Sequence, residues 1–390
     1  MPGVKWPAWA EYTHNGATEA HDPEFLDIKQ AIIAQYGPDA LRRSWVKVCN
    51  DLRSITDEII EKGNKIIPIF DTAKVLRDGF TDTQREEIRR IGTFACRGTV
   101  PEGETKRKLN ELWHDETGET SPEPLIYLDG VRDRGPGVPF LGLGPHIDAG
   151  SLCRWADPTY RKVYDSIFAG NPEEHDPYDL GVRKDANQTL YQGMAHSQVL
   201  RTFQGWTALT PTAPREGTIM VYPNVKIVIA YILLRPFFQP PVDPTIDAMN
   251  PENWMLDDST GWFPGTFKPE SQRLSRVSHP HLRLEECLVY VPEVKAGDTV
   301  WWHCDVCHAV DTEHIGTNNA SVAFIASCPT TRVNESYVRE QLTATLEGRA
   351  APDYAEGNDL DETKLKGYVG LDHLSEDARV AFGFPLREKV

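Results

Sequence analysis

The sequence predicts an α+β chain with a helical first third, a β-rich middle and a helical tail. Three observations predict it. Apolar residues recur at helical spacing through about residue 118. From about 119 to 330 the texture changes to short apolar segments broken by Gly and Pro, and beyond Pro329 the chain is polar and helical again. Gly and Pro number 29 each in 390 residues, about 15% together against roughly 12% in average usage, which fits many turns between short strands. The economical reading is one domain over 1–390: helical support to about 118, a β core with insertions over about 119–330, and a helical tail over about 331–390.

In order along the chain, Asp22-Pro23-Glu24 opens an amphipathic run through Phe25, Ile28, Ala31 and Ile32 that stops at Tyr36-Gly37-Pro38. A second helix runs from Asp39 to about Lys62, with Leu41, Trp45, Val48, Leu52, Ile55 and Ile59 on one face. Ile66–Phe70 and Thr93–Arg97 read as strands, and Thr83-Gln84-Arg85-Glu86 as the capping box of the helix between them. Further strands are expected at Leu125–Leu128, Ile147–Leu152, Val199–Leu209, Thr218–Tyr222, Cys287–Val291, Thr299–His303 and Ser321–Ser327. Val225–Leu234 is apolar enough for strand or helix. Tyr160–Gln198 and Gln239–His281 look inserted, and Glu335–Leu346 is the clearest helix of the tail.

Composition excludes several classes. With 41 Lys and Arg against 58 Asp and Glu, the net charge of −17 argues against nucleic acid or an anionic membrane as partner. No apolar run approaches the roughly 20 residues of a spanning helix. Met1–Trp6 lacks the apolar stretch of a signal peptide, so a cytoplasmic protein is expected. No Gly-rich strand–loop–helix signature for nucleotide phosphates and no G-x-S-x-G elbow is present. The seven cysteines, an odd number, read as reduced and mostly buried thiols. Cys304-Asp305-Val306-Cys307-His308 matches the C-x-x-C-H of haem attachment, yet it continues a strand and no export signal precedes it. A zinc site there lacks a second Cys pair.

A mononuclear non-haem iron site needs two His and one carboxylate on one face, with the other positions open. Residues two apart on a strand point the same way, so H-x-D or H-x-E supplies two ligands at once. His114-Asp115-Glu116, His146-Ile147-Asp148 and His303-Cys304-Asp305 fit. His114 follows a helical pattern and reads as a surface helix end, while His279-Pro280-His281 reads as a turn. His146 follows Gly142-Leu143-Gly144-Pro145, a loop delivering it to a strand start. For the third ligand His303 and His308 compete. They lie on opposite faces of an unbroken strand, and periodicity alone does not choose between them.

These residues resemble a known group. Gly297-Asp298, Trp301-Trp302-His303 and His308-Ala309-Val310 look like the distal end of Fe(II)/2-oxoglutarate-dependent oxygenases. More closely, His146-Ile147-Asp148-Ala149-Gly150-Ser151, Arg154-Trp155, Phe203-Gln204-Gly205-Trp206 and Trp301–His308 are similar to the YbiU-like family, over about Ile66 to Tyr337. The resemblance implies a double-stranded β-helix (jelly-roll, cupin-like) core, Fe(II), 2-oxoglutarate and O2 as cofactors and cosubstrates, and His146, Asp148 and His308 as iron ligands with His303 structural. It also implies oxidation of a C–H bond of a small substrate. The fungal branch includes an aziridine-forming oxygenase of secondary metabolism that acts on a branched-chain amino acid, so the resemblance extends to an amino-acid substrate, with hydroxylation and C–N ring closure to an aziridine both open. 2-Oxoglutarate presents a far carboxylate suited to an arginine. Many such oxygenases place it on the strand after the distal histidine, but Ser321–Ser327 contains none. Arg201 is the first choice, followed by Arg154 and Arg332. Val322, Phe324 and Ala326 alternate toward one face and are expected to shape the substrate pocket or to pack the core. Two rival readings are a cupin-like metalloenzyme without 2-oxoglutarate and a non-catalytic binding protein.

Overall fold

The computed structural model describes residues 6–7, 9–13, 22–98, 102–140, 143–193, 196–355 and 357–385. Leu141 and Gly142 of the loop expected before His146 lie outside them, as do the first five residues. The chain is a mixed α+β fold whose two main sheets curl into a half-barrel. Its strands are β1 (Ile69–Asp71), β2 (Thr93–Arg97), β3 (Ser121–Leu125), β4 (Val131–Arg134), β5 (His146–Ile147), β6 (Phe203–Ala208) and β7 (Ile219–Val221), followed by β8 (Phe238–Gln239), β9 (Met255–Leu256), β10 (Gln272–Arg273), β11 (Val289–Tyr290), β12 (Thr299–His303), β13 (His308–Val310) and β14 (Ala320–Thr330). The larger sheet runs β1-β2-β12-β6-β14-β3 with β4 also on β14; the smaller runs β10-β5-β13-β7-β11. Only β1 and β2 pair in parallel within them; the other ladders are antiparallel.

The helical first third forms as its periodicity dictates. Pro23–Tyr36 starts on an Asp22 cap that accepts the Glu24 N–H, and Pro38–Lys62 buries Leu41, Trp45, Val48, Leu52 and Ile59. Trp45 stacks on Tyr231 at 5.4 Å and on Phe238 at 4.8 Å, tying this helix to Val225–Leu234. The latter segment is helical. It is buried almost all round, so it shows no amphipathic stripe in sequence. Asn224 caps it by accepting the Ile227 N–H. Helices Glu102–Asn110 and Arg332–Leu346 pack against the β3–β14 side of the larger sheet.

Several boundaries differ from the sequence expectation. The capping box is Thr81 with Gln84, two residues earlier than expected; starting at Asp82 sets an acidic residue in the first turn, beside the positive end of the helix dipole. The strand expected over Ile147–Leu152 ends at Ile147, because Ala149 and Gly150 turn the chain with φ of 65° and 85°. β3 covers Ser121–Leu125 in spite of two prolines, which its edge position tolerates. Cys287 closes a helical turn, leaving Val289–Tyr290 as strand. The stretch Gln239–His281 is more than a covering insertion, since it donates β10 to the edge of β5. All seven cysteines are free and buried. Among the described residues no helix is long and apolar enough to cross a membrane.

Candidate metal centre

A cavity of about 230 Å³ lies between the two sheets. Gln204, Trp206, Trp302 and Phe324 of the larger sheet line it, facing His146, Ile219, His308 and Val310 of the smaller one. Which of the two competing histidines lies beside His146 follows from a break that periodicity could not see. β12 ends at His303, the Cys304–Cys307 segment crosses between sheets, and β13 begins at His308. There His308 pairs directly with His146 on the neighbouring strand. Their rings lie 4.2 Å apart, and Asp148 closes the triangle, its two carboxylate oxygens 3.4 Å from His146 Nε2 and 3.4 Å from His308 Nε2.

The hydrogen bonds around this triangle assign its protons. His146 Nδ1 lies 2.7 Å from the Gly144 carbonyl and His308 Nδ1 3.0 Å from the Val306 carbonyl. A carbonyl only accepts, so each Nδ1 carries the proton, and in a neutral ring Nε2 is a bare lone pair. Burial, with His308 beside it, lowers the His146 pKa and keeps that ring neutral. Burial works the other way on Asp148, but a proton shared with His146 or His308 outweighs it and holds the carboxyl well below its ordinary value. With both rings neutral, three electron-pair donors converge on one point with no proton between them. Such a set is mutually repulsive until a cation occupies it, so the donors fit a divalent metal. Two His and one carboxylate on one side also match the facial triad of non-haem iron.

Neighbouring groups fix the carboxylate. Gln204 Nε2 donates to Asp148 Oδ2 at 3.0 Å, and Trp302 Nε1 donates to Gln204 Oε1 at 2.8 Å. Arg154, fully buried, donates to the backbone carbonyls of Asp148 and Gly150. Gly150 is required there: its φ is positive and a Cβ would meet Cys153 Sγ at 2.4 Å.

The expected residues divide as follows. His146, Asp148 and His308 come together, and Arg201 and Phe324 line the cavity with them. Arg154 does not line it, being turned to backbone carbonyls. Arg332 is exposed at the start of the helix Arg332–Leu346. Val322 is buried in the core and is not a lining residue. His303 is structural: it stacks on Trp113 at 4.8 Å, lies 3.0 Å from the Pro177 carbonyl through Nε2, and accepts the Asp305 N–H through Nδ1. Asp305 is taken by Arg183 and by the Tyr164 hydroxyl, so the His303-Cys304-Asp305 group already holds a guanidinium where a metal would sit. Burial pushes the Cys304 thiol up to about 12, against thiolate ligation.

Sequence reasoning missed three groups. Gln204 stood in a quoted motif without a role. Alternation with Trp206 on β6 could have placed it on the inner face. Val131-Arg132-Asp133-Arg134 falls in no expected element; pairing of Arg132 with Val322 on β14 turns it inward, where with Asp129 it lines the cavity. A larger cleft of about 510 Å³, around Arg89, His175, Asp176 and Lys226, lies elsewhere. Its Arg89 is already paired with Asp176 at 2.6 Å, and no three-donor cluster lies in it among the described residues, so the smaller cavity is the candidate site.

Known proteins place this arrangement in context. The chain is 34% identical over 279 residues to the uncharacterized protein YbiU of Escherichia coli K12; the match spans 70% of this chain and 61% of YbiU. The crystal structure of GIG2, the GlcNAc-inducible gene 2 product of Candida albicans (DUF1479), superposes with a TM-score of 0.83 at 25% identity, over 95% of this chain and 91% of that one. The hypothetical protein JW0805 of Escherichia coli gives a TM-score of 0.79 at 26% identity, over 93% and 98%. The Gig2-like family model matches residues 19–110 and 103–384, and the chain therefore belongs to the Gig2-like family.

Proposed function

We propose that this protein is a non-haem Fe(II)/2-oxoglutarate-dependent oxygenase that oxidises a C–H bond of a small substrate, on a double-stranded β-helix formed by the two facing sheets. The observation that carries the reading is the convergence of His146 Nε2, His308 Nε2 and an Asp148 carboxylate with both imidazole protons tied to backbone carbonyls. Fe(II) held by these three residues would supply oxidative decarboxylation of 2-oxoglutarate by O2 and, coupled to it, C–H oxidation. The chain's own groups do the rest. Gln204 orients the Asp148 carboxylate, and the Gly144 and Val306 carbonyls hold both rings in the ligating tautomer. Trp206, Trp302 and Phe324 give the cavity apolar walls that limit water.

Either of two lining arginines could anchor the far carboxylate of 2-oxoglutarate. The sequence pointed to Arg201, but Arg132 suits the role better. Arg132 sits over the Phe324 ring at 5.8 Å and makes one long hydrogen bond, at 3.4 Å, to the Gly217 carbonyl. Its buried Nε has no partner, and no carboxylate pairs with it among the described residues. Burial, with Arg134 nearby, lowers its pKa to about 10: this is a desolvated cation lacking an anion. Along β14, Arg132 is level with Val322 while Gln204 is level with Ala326. The offset of four residue steps is about 14 Å, which a five-carbon diacid and an arginine side chain bridge together.

Anaerobic addition of Fe(II) and 2-oxoglutarate is expected to give a weak visible charge-transfer band, absent in Asp148→Asn and His308→Ala. Admission of air is expected to release succinate. A folded wild-type sample that gives neither band nor succinate overturns the reading.

A further inference from the structure

A neutral His146 ring has one proton to give and two acceptors beside it. The Gly144 carbonyl lies 2.7 Å from Nδ1, and an Asp148 carboxylate oxygen lies 3.4 Å from Nε2. Hydrogen bonds to a charged acceptor are the stronger kind, so with both acceptors free to move the carboxylate would take the proton. The ring would then carry an N–H where the cation belongs and turn its lone pair toward the loop. Only a carbonyl held close to Nδ1 reverses that outcome.

The loop does not hold this carbonyl by itself. Its neighbours are tied through the backbone: the Leu143 carbonyl accepts the Val310 N–H at 3.0 Å, and the Pro145 carbonyl accepts the Leu274 N–H at 2.9 Å. Gly144 has no Cβ, so its peptide planes turn freely unless something packs on them. What packs there is Trp9, a buried side chain from far along the chain. A Cβ on Gly144 would stand 3.1, 3.3 and 3.4 Å from Cγ, Cδ1 and Cδ2 of the Trp9 indole, and these are its three nearest heavy atoms.

Trp9 is itself anchored. Trp6 meets it edge to face at 5.2 Å, and the Arg276 guanidinium lies 4.9 Å over Trp6. Glu11 pairs with Arg276 at 2.7 Å and accepts the Val277 N–H at 3.2 Å, while the Tyr12 N–H donates to Ser275 Oγ at 3.1 Å. These anchors flank β10, whose Arg273 pairs with His146. One segment therefore braces β5 along its edge and also holds the residue that covers the loop before it.

We propose that Trp9 is a positioning residue of the metal centre: by covering Gly144 it keeps the Gly144 carbonyl on His146 Nδ1 and leaves Nε2 free for the cation. The assignment rests on the reading of His146 as a metal ligand, so its test reads the ring as well as the metal. The full chain is labelled with 15N-histidine, freed of metal and held at pH 8, where an ordinary imidazole is neutral. The His146 signals are identified by their loss in His146→Gln. Wild type is expected to carry the His146 proton on Nδ1. Trp9→Ala is expected to move it to Nε2 in at least half of the molecules and to raise the Mn(II) dissociation constant about 10-fold or more by calorimetry. Trp9→Phe keeps a flat ring on Gly144 and is expected to stay within threefold of wild type. Leu342→Ala, in the buried face of the helix Arg332–Leu346, controls for general loosening and is expected to do the same. If Trp9→Ala does not fold, Gly144→Ala tests the contact from the other side, since its methyl group meets the indole at 3.1 Å. It is expected to shift the proton and weaken Mn(II) at least threefold.

A proton that stays on Nδ1 in Trp9→Ala, or an unchanged dissociation constant, overturns the assignment and leaves the metal reading standing. An equal loss of Mn(II) in Leu342→Ala also overturns it, because loosening alone would then suffice. If wild type binds no Mn(II) while Trp9→Ala still moves the proton, the metal reading fails and the hold of Trp9 on the ring stands.

Discussion

Gln204 shows how much of the centre depends on groups that never touch the metal position. Its amide nitrogen holds one Asp148 oxygen while its carbonyl receives the Trp302 indole N–H. The indole can only donate, so the amide orientation is forced and its nitrogen must face the carboxylate. Replacing Gln204 by Met keeps the volume and removes both bonds. The freed carboxylate can then rotate away from the histidines, and the expected result is a 10–100-fold rise in the Mn(II) dissociation constant by calorimetry. Leaving the indole N–H unpaired costs about 1–3 kcal/mol of stability in addition. An unchanged dissociation constant would remove Gln204 from the centre. Arg154 acts on the same carboxylate from behind, through the backbone of a turn in which Ala149 holds a positive φ.

The crossing from β12 to β13 is what brings His308 opposite His146, and it is built on charge. Asp305, in the middle of the crossing, is fully buried with Arg183 and Tyr164. Burial opposes its ionisation, but the Arg183 guanidinium holds the carboxyl well below its ordinary value. Arg183→Met leaves a buried carboxylate with no cation and only the Tyr164 hydroxyl, and is expected to cost about 3–5 kcal/mol in urea unfolding. Arg183→Met with Asp305→Leu is expected to recover most of that, because an apolar pair carries no desolvation penalty. A double variant as unstable as the single would mean that shape rather than charge holds the crossing. This segment also marks the limit of what the sequence disclosed. The H-x-D motif, the helices with a clear apolar stripe and strands such as Thr299–His303 and Thr93–Arg97 were legible, since each is set by local spacing. The facing of His308 toward His146, which spacing left open and only the resemblance implied, the helical state of Val225–Leu234 and the inward turn of Arg132 were not. Each depends on a partner far along the chain: His146 for the first, the Trp45 helix for the second, β14 for the third.

The net charge of −17 sits on the outside, while the interior holds several neutral histidines away from the candidate metal ligands. Burial lowers His303 to about 4, His281 to about 4 and His175 to about 3. In the unfolded chain each titrates near 6.5. Between these values the unfolded state binds protons that the folded state refuses, so stability falls as pH falls through about 6.5 and goes on falling until the folded pKa is reached. For His303 alone the window from 6.5 to about 4 corresponds to roughly 3 kcal/mol. Protonation of surface carboxylates works in the opposite direction, relieving the repulsion among the exposed acidic side chains. A difference measurement separates the two, because the surface is common to wild type and variant. His303→Asn removes the titration while keeping a group able to hydrogen-bond near the Pro177 carbonyl. Urea unfolding at pH 6.5, 5.5 and 4.5 is expected to show wild type losing stability more steeply than the variant, by about 1.4 kcal/mol per pH unit. Parallel curves would mean that His303 takes up its proton as readily inside the fold as outside it.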